Sequence, residues 1–360
     1  MYTLRALPHR PGGRSLRRPP GARTAAAAAV LALLAVTGCS AVDGLAPSGA
    51  LPALPAFSNP VIPGLWTPNR MADAVSADIP VADGLGEDAG ATDPEPAPVP
   101  AAPEKTPYAR NAAVVGKLFF DTPEGPSVCS GTVVEDPANP GASGLVWTAG
   151  HCVHAGAGGT WFRNIVFVPS YNNDALTGDA RRNAGESQVA PLGTWWADAA
   201  ETSPEWAAEG APTGGAGAPF DFAVLHVKAP QGRGGSLEEA TGEAASVRFD
   251  APSATRIGAM AAWGYPAAPP FDGERMFSCQ DRPGRLSVRD DQPPLYRIGC
   301  TMTGGSSGGG WFAEGPDGSV ALVSNTSIGP ADNVWLAGPR LGARAKSVYE
   351  AVSGSGSPRS

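Results

Sequence analysis

From residue 108 onward the chain alternates short apolar runs with clusters of Gly, Pro, Asn and Asp. The runs fall at 113–120, 128–134, 145–148, 161–168, 222–227, 259–263, 295–299 and 320–324. Most are strand length and none continues into a sustained 3.6-residue period, so they predict strands rather than helices. Short strands at this density, separated by turn-forming residues, predict antiparallel barrels or a sandwich. One helix is expected, over 340–352, where Leu341, Ala345, Val348 and Val352 share a face.

One hairpin can be read in more detail. Segments 128–134 and 145–148 flank the turn-rich stretch 136–144 and are expected to pair across it. Symmetric pairing sets Val133 opposite Thr148 and Cys129 opposite Cys152, where a disulfide closes without distorting the backbone. Such a bridge stabilises by about 3 kcal/mol through loop closure. A second is expected between Cys279 and Cys300. The competing reading, a metal site from Cys129, His151, Cys152 and His154, requires the adjacent residues 151 and 152 to converge on one ion from a strand end. No metal is expected.

Ahead of residue 108 the pattern changes. Arg5, Arg10, Arg14, Arg17, Arg18 and Arg23 precede an apolar run at 25–36, the layout of a signal peptide. The run falls short of the roughly twenty residues that span a membrane. It ends in Val36-Thr37-Gly38-Cys39, which resembles the lipobox of bacterial lipoproteins. That resemblance implies removal of residues 1–38, lipidation of Cys39, and a site on the outer face of the cell membrane or in the medium. Residues 39–107 are rich in Ala, Pro, Gly and acidic side chains, with scattered large apolar ones. They are expected to be a disordered spacer or propeptide. The folded domain is expected over 108–353, followed by a disordered tail at 354–360.

Composition adjusts this picture only at its margins. A net charge of -8 argues against nucleic-acid binding, which needs a basic surface. Of five cysteines, Cys39 stands apart and leaves four to pair, and export makes their oxidation expected. The sequence has no Walker-type loop, HExxH helix or paired CxxC, so nucleotide and zinc readings lack support. No cofactor is expected, and the membrane is touched only through the lipid at Cys39.

The candidate chemistry lies in CTMTGGSSGGGW, residues 300–311, where two serines are adjacent. Read as G-x-S-x-G, the nucleophile is Ser306 and a histidine must follow it in the chain. All four histidines, His9, His151, His154 and His226, precede it. Read as G-x-S-G-G, the nucleophile is Ser307 and the order is histidine, acid, serine. The chain supplies that order, with His151 in TAGHC at 148–152 and Asp221 in DFAVL at 221–225. His154 lies outside the motif, and His226 within an apolar strand reads as structural. Asp174, Asp179 and Asp198 sit in loop-like surroundings, whereas a carboxylate that orients imidazole belongs beside a buried strand, as Asp221 does.

With Cys129-Ser130-Gly131-Thr132, 148–152, 221–225 and 305–309 in this order, residues 108–353 resemble the chymotrypsin-like serine proteases. The MTGGSSGG form is most similar to their bacterial branch related to glutamyl endopeptidases. The resemblance implies an all-β fold of two antiparallel six-stranded β-barrels with a short C-terminal helix. It also implies a His151–Asp221–Ser307 triad and an oxyanion hole from the N–H groups of Gly305 and Ser307. Thr301 would lie at the base of the specificity pocket, with Ser324, Asn325 and Thr326 in a wall strand that binds substrate backbone.

The departures from the family pattern bear on substrate and activation. Thr301 is no countercharge for Arg or Lys, and residues 320–328 lack the histidine of glutamyl endopeptidases, so neither preference is expected. Trypsin pairs a new N-terminus with an aspartate just before the nucleophile; Ser306 holds that place here. Inhibition by residues 40–106 would therefore need another route, such as blocking the cleft. The expectation is an exported, monomeric serine endopeptidase acting on polypeptides through an acyl-enzyme. A catalytically silent binding lipoprotein of the same fold, a structural envelope lipoprotein and an esterase are the alternatives.

Overall fold

The computed structural model describes residues 54–355, apart from 77, 79, 83–84, 86–89 and 212–216. The expected leader 1–38, Cys39 and the last five residues lie outside the described residues.

Six strands close the first barrel: Val115–Thr122, Gly125–Val134, Leu145–Thr148, Arg163–Pro169, Trp195–Thr202 and Ala223–Lys228. Closure comes from Leu145–Thr148, which pairs antiparallel with Gly125–Val134 on one side and with Ala223–Lys228 on the other. The hairpin register is two positions from the symmetric expectation: Val133 pairs with Val146, not Thr148. Because side chains alternate with a period of two, the shift leaves every residue on its expected face. Cys152 still reaches Cys129, with Cα atoms 6.1 Å apart. A 3-10 turn at Gly150–Cys152 folds the chain back where the ladder ends.

The second half carries two antiparallel sheets. One contains Met260–Gly264, Phe277–Asp281, Gly310–Glu314 and Val320–Asn325, and the other Gly284–Leu286, Leu295–Gly299 and Trp335–Gly338. Met260, Ile298, Trp311 and the Cys279–Cys300 disulfide share its core. The helix Ala343–Val352 buries Ala345, Val348, Tyr349 and Val352 and crosses back to strands Trp195–Thr202 and Ala223–Lys228 of the first barrel. It begins at Ala343, three residues later than its periodicity predicts, after Gly342 in extended backbone.

Among the described residues, those between 54 and 107 do not form the disordered stretch that composition predicts. Trp66, Met71 and Val81 are docked, while Val61, Ile62 and Val75 stay exposed. Val115–Thr122 is buried on both faces through its first six residues, so its outward Phe119 needs a cover. Trp66 supplies it at 5.5 Å between ring centroids, with Met71 2% exposed. Burial of one such side chain is worth about 1.5–3 kcal/mol. Asn59 adds backbone pairing, donating to the carbonyls of Ile165 and Ala197 and accepting from the N–H of Ile165.

Further along, Val75–Ser76 adds a parallel strand to the first barrel at Ser127–Val128. Asp93 forms a bidentate pair with Arg285, and Ala102–Pro103 pairs antiparallel with Phe277–Asp281. Glu104 accepts from Trp263 and Ser278. Composition measures the density of apolar residues but not the surface waiting to receive them, which is why the sequence reading missed this dock.

Candidate active site

His151 stands on the 3-10 turn that follows Leu145–Thr148, pinned beside the Cys129–Cys152 bridge. Asp221 precedes the strand Ala223–Lys228 and is 1% exposed. Its carboxylate accepts from the backbone N–H of His151 at 2.8 Å and lies 2.7 Å from His151 Nδ1. The Ser327 hydroxyl donates to it as well, at 2.6 Å, and the Asn325 amide holds the Asp221 carbonyl. A carboxylate so placed keeps a proton on Nδ1 and turns Nε2 outward. Sequence reasoning missed Ser327; a serine just beyond a buried strand carries too little signal by itself.

The adjacent serines have opposite fates. Ser306 donates its hydroxyl to the Thr303 carbonyl at 2.7 Å and is 1% exposed. Ser307 instead donates its hydroxyl to the carboxylate of Asp78, one of the cavity-lining residues, at 2.9 Å. Ser130 of the CSGT segment braces the turn between them: its N–H donates to the Ser307 carbonyl at 2.7 Å and its hydroxyl to the Gly305 carbonyl at 2.9 Å. Gly308 has φ of +78°, and a Cβ there would lie 2.1 Å from Thr148 Oγ1 and 2.5 Å from the Ser130 carbonyl oxygen. Left-handed strain and overpacking each cost about 1–3 kcal/mol. Gly308→Ala should therefore lower the urea unfolding midpoint clearly, and an unchanged midpoint would contradict this account of the turn.

Between the two catalytic candidates sits a residue that sequence reasoning did not single out. Asp78 places Oδ1 3.0 Å from His151 Nε2, while its Oδ2 accepts from Ser307 Oγ at 2.9 Å and from the Gly305 N–H at 2.7 Å. Ring and hydroxyl thus meet the two oxygens of one carboxylate. Burial disfavours the charged imidazole, but Asp221 and Asp78, one at each nitrogen, outweigh it and push the His151 pKa up to about 10. Burial also opposes ionisation of Asp78, yet the partners His151, Gly305 and Ser307 hold its pKa below the ordinary carboxyl value. Alongside lies a cavity of about 500 Å³ whose lining includes Val75, Phe120, Pro126, Phe162 and Trp206.

The four residues expected to bind substrate do not line this cavity. Asn325 accepts from Trp147 Nε1 at 3.0 Å, and Thr326 from Trp311 Nε1 at 2.9 Å. Ser324 is fully buried and hydrogen-bonds to the Asn325 carbonyl. These side chains are occupied in the core, and it is the next residues, Ser327 and Ile328, that reach the cavity. The expected wall was placed about three residues early because the strand runs into the core before the chain emerges at the cleft. Thr301 is engaged from outside, donating its N–H to the Val99 carbonyl and accepting from the Ala101 N–H.

Other candidates fall elsewhere. His226 pairs with Asp198 at 2.5 Å, and His154 accepts from the Gly156 N–H. Cys129, His151 and Cys152 place ligand-type atoms within 4.8 Å of one another. The two sulfurs are bonded to each other, which leaves no thiolate for an ion.

Comparison with known proteins adds to this geometry. No protein-family model matches the chain, and no curated protein is similar to it. Among solved structures, the thermostable serine protease AL20 from an extremophilic microorganism is 32% identical, with a TM-score of 0.53, covering 68% of this chain and 98% of its own. Protease Anisep from Arthrobacter nicotinovorans is 30% identical, with a TM-score of 0.54, covering 70% of this chain and 99% of its own. A Glu endopeptidase is matched at 16% identity and a TM-score of 0.47, over 70% of this chain and 96% of its own. That third likeness is too slight to carry a substrate preference.

Proposed function

Because the chain belongs to the chymotrypsin-fold serine proteases, we propose that it is an exported serine endopeptidase working through His151, Asp221 and Ser307. The observation that carries this reading is the placement of the imidazole. Nδ1 lies against the buried carboxylate of Asp221, while Nε2 and the Ser307 hydroxyl converge on one small group.

A serine hydroxyl is a weak nucleophile at neutral pH, so Nε2 must take its proton as Oγ attacks the substrate carbonyl. The carbonyl π electrons then move onto oxygen. The N–H groups of Gly305 and Ser307 stabilise that oxyanion, each such donor being worth about 3 kcal/mol of barrier. Collapse expels the amine, which leaves with the proton from Nε2, and water repeats the sequence to release Ser307. No step needs a metal or cofactor. The two disulfides support an oxidising compartment, and we place the chain outside the cell, held by lipid at Cys39 and acting as a monomer.

A peptide-library digest tests the reading, run on the full chain and on its Asp78→Ala variant. Internal cleavage by at least one of them, absent when Ser307 is alanine, is expected. An untouched library with hydrolysis of simple esters would favour the esterase alternative.

A further inference from the structure

The cleft is occupied by the chain's own N-terminal segment. We propose that Asp78 is a built-in inhibitor, its carboxylate filling the space that a substrate carbonyl must enter, so that Asp78 has to leave the cleft before turnover. The inference rests on the serine-endopeptidase reading above and specifies how that same site is regulated.

Three bonds define the block, and each takes a group the reaction needs. Asp78 Oδ1 faces the Nε2 that must act as base, and Oδ2 accepts from the nucleophile Ser307 Oγ and the oxyanion donor Gly305 N–H. A carboxylate here imitates the negative oxygen of the tetrahedral intermediate but cannot go forward. Its carbon is electron-rich, and attack by Oγ would have no amine to expel. The negative carboxylate of Asp78 beside Nε2 also favours the imidazolium, which has no lone pair left to take the serine proton.

The surroundings are shaped for this occupant. On one side Val75–Ser76 is paired with Ser127–Val128. On the other, the Val81 N–H donates to the Gly329 carbonyl at 3.0 Å, with a parallel bridge to Pro330. Ser76 Oγ accepts from the Asp78 N–H at 3.1 Å, a local turn that aims the carboxylate. The absence of a side chain at Gly304 makes room: a Cβ there would lie 2.4 Å from Ser76 Oγ and 3.2 Å from Asp78 Cβ. An inhibitor anchored on both flanks acts at high effective concentration, so three hydrogen bonds suffice to keep the open fraction small.

Labelling by a fluorophosphonate probe measures that open fraction. The experiment compares the full chain with Asp78→Ala, Asp78→Asn and Gly304→Ala, using Ser307→Ala as the blank and thermal unfolding to verify that each folds. Asn nearly preserves the shape of Asp78 and removes its charge, which guards against a folding defect in the alanine variant. We expect both Asp78 variants to label at Ser307 at least about tenfold faster than the parent, and Gly304→Ala to label faster by crowding Ser76. Equal rates for the parent and both folded Asp78 variants, all labelling at Ser307, would overturn the inhibitor and leave the protease reading standing. If no variant labels at Ser307, both readings fall.

Discussion

Replacing Ser307 by alanine should lower peptide hydrolysis by about 10⁶-fold, the loss expected when the nucleophile of an interdependent triad is removed. The comparison belongs in the Asp78→Ala background, where the cleft is open. Ser306 offers no rescue although it is the next residue. Its hydroxyl is committed to the Thr303 carbonyl and sealed from solvent, so reaching a substrate would mean unwinding the turn that Ser130 braces from two sides. Ser306→Ala should accordingly cost about 1 kcal/mol of stability, the net worth of one hydrogen bond, with little effect on kcat. A Ser307→Ala chain that keeps turnover within tenfold of its parent would contradict the assignment.

Asp221→Asn should lower kcat by about 10⁴-fold while leaving the fold in place. The carboxylate accepts from three donors, the His151 N–H, the Nδ1–H and the Ser327 hydroxyl. An amide of the same shape has one acceptor oxygen and one NH₂ group, so a donor must face a donor. The ring can relieve that conflict by moving its proton to Nε2, which removes the base from the serine side. Turnover measured against the concentration of labelled sites separates this effect from misfolding. A loss below about tenfold would mean that Asp221 only packs, since orienting carboxylates contribute far more.

The parts of this site that were legible in the sequence are those whose chemistry fixes residue type, order and local backbone together. Ser307 is distinguishable from Ser306 because only one of the two readings of the glycine run finds its histidine upstream. Asp221 stands out from Asp198 because it opens a buried strand. The strands read correctly were mostly continuous apolar runs. Trp195–Thr202, with the sequence WWADAAET, was missed because alanines and acidic residues blur its alternation, and it is held by its neighbours rather than by its own pattern. The first-barrel hairpin was recognised but not its register, since nothing local says how many residues the turn consumes.

The residues that escaped were those acting through tertiary placement. Ser327 matters because it lies over Asp221, and the expected wall at Ser324, Asn325 and Thr326 misses the cleft because three residues of emerging chain separate core from surface. Asp78 was the least legible of all, an aspartate in a proline- and alanine-rich stretch whose importance comes from what lies 73 and 229 positions away. The first barrel must already be folded for Trp66 to have anywhere to go, and both halves for Asp78.

The most direct test is to map the probe's adduct. Fluorophosphonate-treated Asp78→Ala chain, digested and sequenced by mass spectrometry, should carry a single modification on the Ser307 side chain, abolished when His151 is replaced by alanine. An adduct on Ser306, or none in a chain shown to be folded, would contradict the central claim that His151 and Asp221 activate Ser307.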